Sequence, residues 1–367
     1  MTAATAADRP APPPAAPRAV GLWLAVCAAM VFAMVVLGGA TRLTESGLSM
    51  TEWRPVTGWL PPMTEAAWQS VFDGYRDSPE FRRLNFWMGI EDFKRIFWLE
   101  YLHRLWGRII GVAFALPLAW FWTRGRLPGG LRWRLAGLLT LGAAQGGLGW
   151  YMVQSGLIDH PEVSQYRLAA HLGLAFLIYG LLLWESLRAL VPRPAAGAAE
   201  AALRAPAMLL LGWTALTVTW GALVAGIDAG LAYNTFPLMD GRLVPPGFFT
   251  LAPWWVNFGE NTAAVQFTHR ALGIGLALGA LLVALRAARA GTGRRARRAA
   301  ALVAGAALIQ TGLGIATLLS AVALPLAIAH QAGAGAVLSA VLWMLYALGA
   351  RARPAGTRRP NSSAPAT

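Results

Sequence analysis

The feature that most constrains this chain is a series of apolar runs, each about 20 residues long, separated by short polar junctions. A helix of about 20 apolar residues is long enough to cross the hydrocarbon core of a bilayer, which is about 30 Å thick. With 56% hydrophobic and only 13% charged residues, the chain is too apolar for an ordinary soluble protein. The sequence therefore predicts an all-α polytopic membrane protein whose main partner is the lipid bilayer.

The apolar runs predict eight transmembrane helices. Arginines are concentrated in the junctions on one side, which the positive-inside rule assigns to the cytoplasm, so both termini are expected to be cytoplasmic. These clusters also account for the formal net charge of +14, and no nucleic-acid partner is expected. The predicted spans are residues 19–39, 101–123, 132–153, 167–190, 204–226, 263–288, 296–320 and 324–350.

The spans and the longer connections divide the chain into two halves with a linker and two tails. The outer loop of the N-terminal half, residues 40–100, is either an aromatic belt at the membrane interface or a lid over a site. The predicted parts are a disordered cytoplasmic tail at 1–18, an N-terminal four-helix half at 19–190, a cytoplasmic linker at 191–203, a C-terminal four-helix half at 204–350 and a cytoplasmic tail at 351–367.

The two halves look like tandem copies of one unit. Four spans per copy leave both copies in the same orientation, so the repeat is parallel rather than inverted. The sequence therefore predicts two tandem four-helix bundles. The matching segments are Gly38–Gly47 with Gly221–Gly230, His103-Arg104 with His269-Arg270, Gln145–Gly149 with Gln310–Gly314, and Ala170-His171 with Ala329-His330.

Four of the five histidines lie in predicted spans as two repeat-related pairs, within the first two turns at the outer side. Polar side chains in hydrocarbon are costly, and two imidazoles that face each other across a helical bundle can take both axial positions of a haem iron. The expected pairs are His103 with His171 and His269 with His330. Hydrogen-bonded packing is the alternative role. The fifth histidine, His160, is expected at the surface.

The two copies differ beside the first histidine of each pair. Glu100 lies three residues before His103 on the same helix face, whereas the neutral Gln266 takes the corresponding place in the second copy. A carboxylate beside one haem can handle protons or stabilise positive charge, so the first half is expected to perform the reaction. An ion pair of Glu100 with a nearby arginine is the alternative. Candidate contacts to haem propionates, with snorkelling as the alternative, are Arg42, Arg104, Arg108, Arg167 and Arg270.

Six motifs spread from the first span to the last carry a family resemblance. They are Gly38–Leu48, Met50–Gly58, Glu91–Arg104, Tyr166–Leu172, Tyr233–Gly241 and Gln266–Arg270. Together they resemble the haem A synthase family in its alphaproteobacterial and mitochondrial form. The resemblance implies an oxidoreductase that acts on a CH group in cytochrome c oxidase assembly. Such enzymes convert haem O to haem A by two successive hydroxylations of the C8 methyl group, with water as the oxygen source.

The resemblance also implies roles for individual residues. His269 and His330 would ligate haem b as a cofactor, His103 and His171 would line the site of the substrate haem O, and Glu100 would be the catalytic carboxylate. The implied setting is a bacterial plasma membrane, with a haem O synthase as partner. Some family members have a cysteine pair in an outer loop, but Cys27 is the only cysteine here. The electron acceptor and its route are therefore left open, as is the choice between monomer and homo-oligomer.

Two other classes of protein remain as alternatives. A di-haem b-type membrane electron-transfer protein, of the quinol:acceptor kind, shares the four histidines but gives Glu100 and the long outer loop no role. A transporter built on a parallel repeat is the second alternative, and it predicts a protein without haem absorbance.

Overall fold

The computed structural model describes residues 15–158 and 163–349, and its regular structure there is helical. The predicted tail 351–367, His160 and residues 1–14 of the predicted N-terminal tail lie outside this part. Residues 15–18 of the N-terminal tail form the start of the first helix. In chain order the helices are α1 (Ala15–Leu43), α2 (Glu65–Arg76), α3 (Ile90–Thr123), α4 (Gly129–Ile158), α5 (Gln165–Leu190), α6 (Ala198–Gly226), α7 (Asn257–Glu260), α8 (Thr262–Arg289), α9 (Arg294–Leu319) and α10 (Leu324–Ala347).

Seven helices in the described ranges are long and apolar enough to cross a membrane. These are α1, α3, α5, α6, α8, α9 and α10, so the prediction of an all-helical, multi-pass membrane protein is confirmed. The remaining predicted span, residues 132–153, forms as the 30-residue helix α4. It is not among the seven helices of that set.

Helix α3 begins at Ile90, well before the predicted span at 101–123. The backbone N–H of Gly89 donates to Asp92 Oδ2 at 3.3 Å, and the carboxylates of Glu91 and Asp92 favour a helix N-terminus at this point. His103 consequently lies deep inside its helix, whereas the sequence placed it in the first two turns. The other three histidines of the two pairs lie near the starts of α5, α8 and α10.

The long outer loop folds onto the extended start of α3. Five aromatic residues, which we call the outer aromatic cluster, join α2 to α3. The rings of Tyr75 and Phe93 are stacked with centroids 5.1 Å apart, and both side chains are fully buried. Part of the outer loop therefore packs on α3, and its role as a lid or as an interfacial belt stays a prediction. The cluster consists of Phe72, Tyr75, Phe93, Phe97 and Tyr101.

Two hydrophobic clusters form the interior between the long helices. The first joins α1, α3, α4 and α5, and the second joins α6, α8, α9 and α10. Helix α10 belongs to both, because its Leu338 and Leu342 are buried in the first cluster. The final helix therefore contributes to the cores of both halves.

Candidate functional site

The clearest geometry is that of His269 on α8 and His330 on α10. Their half-buried rings have centroids 6.3 Å apart and planes at 86°. Two imidazoles on opposite sides of one metal ion have ring centres roughly 6 Å apart, because each metal–nitrogen bond is about 2 Å long. Both Nδ1 atoms are buried. The spacing of the two rings fits a pair of axial haem ligands.

The first pair consists of His103 on α3 and His171 on α5, and its surroundings differ from those of the second pair. Gln145 Nε2 lies 3.2 Å from both ring nitrogens of His171 and donates to the His171 carbonyl at 3.0 Å. The amide of the matching Gln310 donates to the His330 carbonyl at 2.8 Å. Two similar pairs of histidines thus have different neighbours.

A glycine on a neighbouring helix makes room for each imidazole. A side chain at any of these glycines would press on the ring, so the contacts require glycine. Sequence reasoning named the glycines as repeat matches but missed their role at the site. The pairs are Gly38 with His103, Gly149 with His171, Gly221 with His269 and Gly314 with His330, and an added Cβ would lie 3.0, 2.9, 3.1 and 2.8 Å from the respective ring.

Glu100 is buried and fully partnered. Its Oε2 accepts hydrogen bonds from Ser49 Oγ and from the Met50 backbone N–H, both at 2.7 Å. Its Oε1 pairs with Arg104 at 2.5 Å. The ion pair considered as an alternative role is therefore present, and its partner is Arg104. Because Ser49 and Met50 belong to the outer loop, the carboxylate also ties that loop to α3.

The corresponding Gln266 has hydrogen-bond partners of the opposite kind. Its Nε2 donates to the carbonyls of Ala229 and Ala232 at 2.6 and 2.5 Å, and its Oε1 accepts from Arg270 at 2.8 Å. The first loop thus presents donors to a carboxylate, whereas the second presents acceptors to an amide. Exchanging the two side chains would leave buried polar groups without partners in both halves, which explains the asymmetry in structural terms.

The five candidate arginines are held mainly by backbone carbonyls. Of these five arginines, Arg108 and Arg270 retain buried guanidinium nitrogens without a partner: Nε and Nη1 of Arg108, and Nε of Arg270. Arg108 therefore fits an anionic group best. Arg42 donates to Ala225 O and pairs with Asp228, Arg104 donates to Met50 O and Glu52 O, Arg108 to Arg54 O, Arg167 to Tyr151 O, and Arg270 to Tyr233 O and Thr235 O.

The fold and the site define a class: multi-pass helical membrane proteins with two pairs of histidines set against glycines. Within that class, the chain belongs to the COX15-CtaA family, described as cytochrome oxidase assembly protein, whose family model matches residues 21–342.

Several similar proteins are named Heme A synthase. The one from Rhodospirillum centenum is 54% identical over 345 residues, which cover 94% of this chain and 91% of that protein. Those from Nitrosospira multiformis and Paramagnetospirillum magneticum are each 47% identical and cover 90% and 91% of this chain, and 93% and 95% of their own lengths. The expected family is confirmed, and these names give no support to an electron-transfer protein.

Proposed function

We propose that this chain is a membrane oxidoreductase that converts haem O to haem A for cytochrome oxidase assembly. The observation that carries the proposal is the 6.3 Å spacing of the His269 and His330 rings, in a chain 54% identical to a protein named Heme A synthase. The proposed reaction oxidises the C8 methyl group by two successive hydroxylations. Water is the proposed oxygen source, and the resulting gem-diol loses water to leave the formyl group.

The two histidine pairs are assigned different tasks. His269 and His330 would hold haem b, which supplies a one-electron redox centre when bound. His103 and His171 would bind the substrate haem O. This division is supported by Glu100, because an ionisable side chain stands beside the first pair and the neutral Gln266 beside the second.

Glu100 is the proposed catalytic group. Ser49, the Met50 N–H and Arg104 hold its two oxygens in place, so the carboxylate is oriented before substrate arrives. It would stabilise positive charge that develops at the C8 methyl carbon, or accept a proton from the reacting group. Arg108, with two buried unpartnered nitrogens, is the proposed contact for a haem propionate.

The same proposal extends to architecture and partners. We assign α4 as the eighth span, which completes two tandem four-helix bundles in parallel repeat, and we place both termini in the cytoplasm. The two hydrophobic clusters and the matched glycine–histidine pairs support the repeat. A haem O synthase is the proposed supplier of substrate. The electron acceptor is a further partner, and association into a homo-oligomer is compatible with this arrangement.

Pigment analysis tests the function. The protein is co-expressed with a haem O supply in a host that lacks haem A, and the extracted haems are separated. We expect haem A with the wild type, haem O without haem A with Glu100→Ala, and haem A with the exposed control Glu91→Ala. Haem A at the wild-type level from Glu100→Ala would contradict the role of Glu100. Haem b as the only pigment of the wild type would favour the electron-transfer protein instead.

A further inference from the structure

A groove of about 390 Å³ lies between the start of α6 and the end of α8, at the helix ends that are proposed to face the cytoplasm. Pro206 lies inside α6 and has no N–H to donate, so the carbonyl of Ala202 lacks its usual helical donor. The lining is apolar except for two arginines. The residues of this α6–α8 groove are Ala199, Ala202, Leu203, Pro206, Arg286, Arg289 and Ala290.

The two arginines of the groove have no protein partner. Within residues 15–158 and 163–349, neither the Arg286 nor the Arg289 guanidinium takes part in a hydrogen bond or an ion pair. Glu200, an acid in the first turn of α6, is engaged elsewhere, because its Oε1 accepts a hydrogen bond from the Gly293 backbone N–H at 2.8 Å. Two positive charges are therefore available to an anion that enters the groove.

Both walls of the groove continue as exposed leucines toward the middle of the membrane. Leu209 follows Pro206 by three residues on α6, and Leu282 precedes Arg286 by four residues on α8, so each leucine lies one turn further along the same helix face. Leu209 is 72% exposed and Leu282 is 59% exposed. The groove thus combines a charged end with an apolar continuation, as a phospholipid does with its phosphate and its acyl chains.

The matching place in the first half is filled by aromatic side chains. In the register of the repeat, Trp23 on α1 takes the place of Pro206, and Trp120 on α3 takes the place of Arg286. The ring of Trp23 is stacked on that of Phe114 on α3, with centroids 5.2 Å apart. Because these rings occupy the space between α1 and α3, the α6–α8 groove distinguishes the second half from the first.

We propose that the α6–α8 groove binds one anionic phospholipid of the cytoplasmic leaflet, with its phosphate on Arg286 and Arg289 and an acyl chain along the exposed leucines. Arginine binds phosphate oxygens through paired hydrogen bonds, and basic pockets between membrane helices on the cytoplasmic side suit lipid headgroups. The apolar lining and its continuation select a lipid over free phosphate. A lipid held in this way joins α6 to α8, and its binding is independent of the proposed reaction.

Native mass spectrometry of the full-length protein tests this site. The purified protein is incubated in detergent with equal amounts of phosphatidylglycerol and phosphatidylcholine, and the lipids that remain bound are identified by mass. We expect the wild type to retain one phosphatidylglycerol per chain, and the double variant Arg286→Gln/Arg289→Gln to retain about tenfold less. The control Arg297→Gln/Arg298→Gln removes the same charge from exposed positions on α9 and should retain the lipid as the wild type does.

A second pair of variants separates the groove from general attraction to charge. Ala202→Leu fills the groove and keeps both arginines, so it should also retain about tenfold less phosphatidylglycerol, whereas Ala205→Leu, exposed on the same turn but outside the lining, should not. Wild-type retention by either groove variant would overturn the proposal. Equal retention of phosphatidylcholine, or an inorganic phosphate adduct in place of the lipid when phosphate is added, would overturn it too. None of these outcomes depends on haem A formation, so the proposed function is tested separately.

Discussion

At the scale of single residues, the site depends on glycines, which leave room for the histidine rings. Each histidine of the two pairs occupies the volume that a methyl group on the neighbouring helix would fill. The ring cannot move aside freely, because the backbones of the two helices fix the distance between the glycine and the histidine. The glycines therefore set the ring positions, and with them the spacing of any axial ligands.

Gly221→Ala tests this dependence. The new Cβ would lie 3.1 Å from His269 Cε1 and would press on the ring, which disturbs its spacing to His330, so we expect haem b content to fall about tenfold. The helix itself should gain about 1 kcal/mol, because alanine is the better helix former. The haem-to-protein ratio and thermal unfolding of the purified protein measure both effects. Gly212→Ala, on the same helix with nothing within 4 Å, is the control, and equal haem content in the two variants would contradict the prediction.

Glu80 is a second residue whose environment has a measurable consequence. It is 3% exposed and accepts a hydrogen bond from Tyr75 Oη at 2.9 Å. Burial raises the pKa of Glu80 from 4.5 to about 7; the hydrogen bond from Tyr75 opposes this shift, and the negative charges of Glu100 and Glu45 add to it. The pKa in the folded state is thus higher than in the unfolded chain.

The stability of the outer loop should therefore decrease with rising pH. Protonated Glu80 contributes stability fully below pH 4.5, and this contribution is lost as pH rises through about 7. We expect the wild type to lose about 3 kcal/mol over this window, and Glu80→Gln to lose little of it. Thermal unfolding in detergent at pH 5 and pH 8 measures the change, with the exposed Glu91→Gln as control. The same pH dependence in Glu80→Gln and wild type would refute the assignment.

At the scale of elements, α3 is both a candidate membrane span and the surface on which the outer loop packs. Its extension beyond the predicted span carries Phe93 and Phe97, onto which α2 packs, and Glu100 lies further along the same helix. The loop that α2 belongs to also supplies Ser49 and the Met50 N–H to Glu100. Loosening the outer aromatic cluster should therefore disturb the carboxylate without changing any residue that contacts it.

Phe93→Ala should impair the N-terminal half of the protein and leave the C-terminal half unaffected. Phe93 is fully buried, and truncating a buried phenylalanine costs about 3–5 kcal/mol. We expect haem A formation to fall sharply while haem b content at His269 and His330 is retained. Pigment analysis of purified protein reads both quantities at once. Phe86→Ala removes an exposed ring in the same region and should leave both unchanged; loss of haem b from Phe93→Ala would contradict the separation.

The elements also show what sequence patterns can predict. Hydropathy located the long helices, but it placed the start of α3 too late, because the cap at Gly89 and Asp92 rather than apolarity sets that end. The repeat located the histidines and the asymmetry of Glu100 and Gln266. It could not predict that the Gln145 amide lies against the ring of His171, because that contact depends on how α4 and α5 pack.

At the scale of the whole molecule, α1 and α10 hold the two halves together. Gln331, next to His330, donates from Nε2 to Val35 O at 2.6 Å and lies against Gly39. Gly38, beside it on α1, is the glycine that accommodates His103. The two histidine pairs are thus linked through a few residues of α1 and α10.

Gly39→Ala should affect both sites together. The added Cβ would overlap the amide of Gln331 and displace it from Val35 O, which removes a hydrogen bond between α1 and α10. We expect lower haem b content and lower haem A formation, each several-fold, because α1 carries Gly38 and α10 carries His330. Extracted pigments measure both. Gly111→Ala, where nothing lies within 4 Å, is the control, and loss of only one activity would contradict the link.

The dual membership of α10 has a consequence for biosynthesis. Leu338 and Leu342 fill part of the core formed by α1, α3, α4 and α5, although they follow those helices by a long stretch of chain. During translation the N-terminal half therefore enters the membrane with its core incomplete, and it closes only after α10 has been inserted. The first histidine pair, whose helices share that core, therefore gains its final packing only when the helix that carries His330 is also in place.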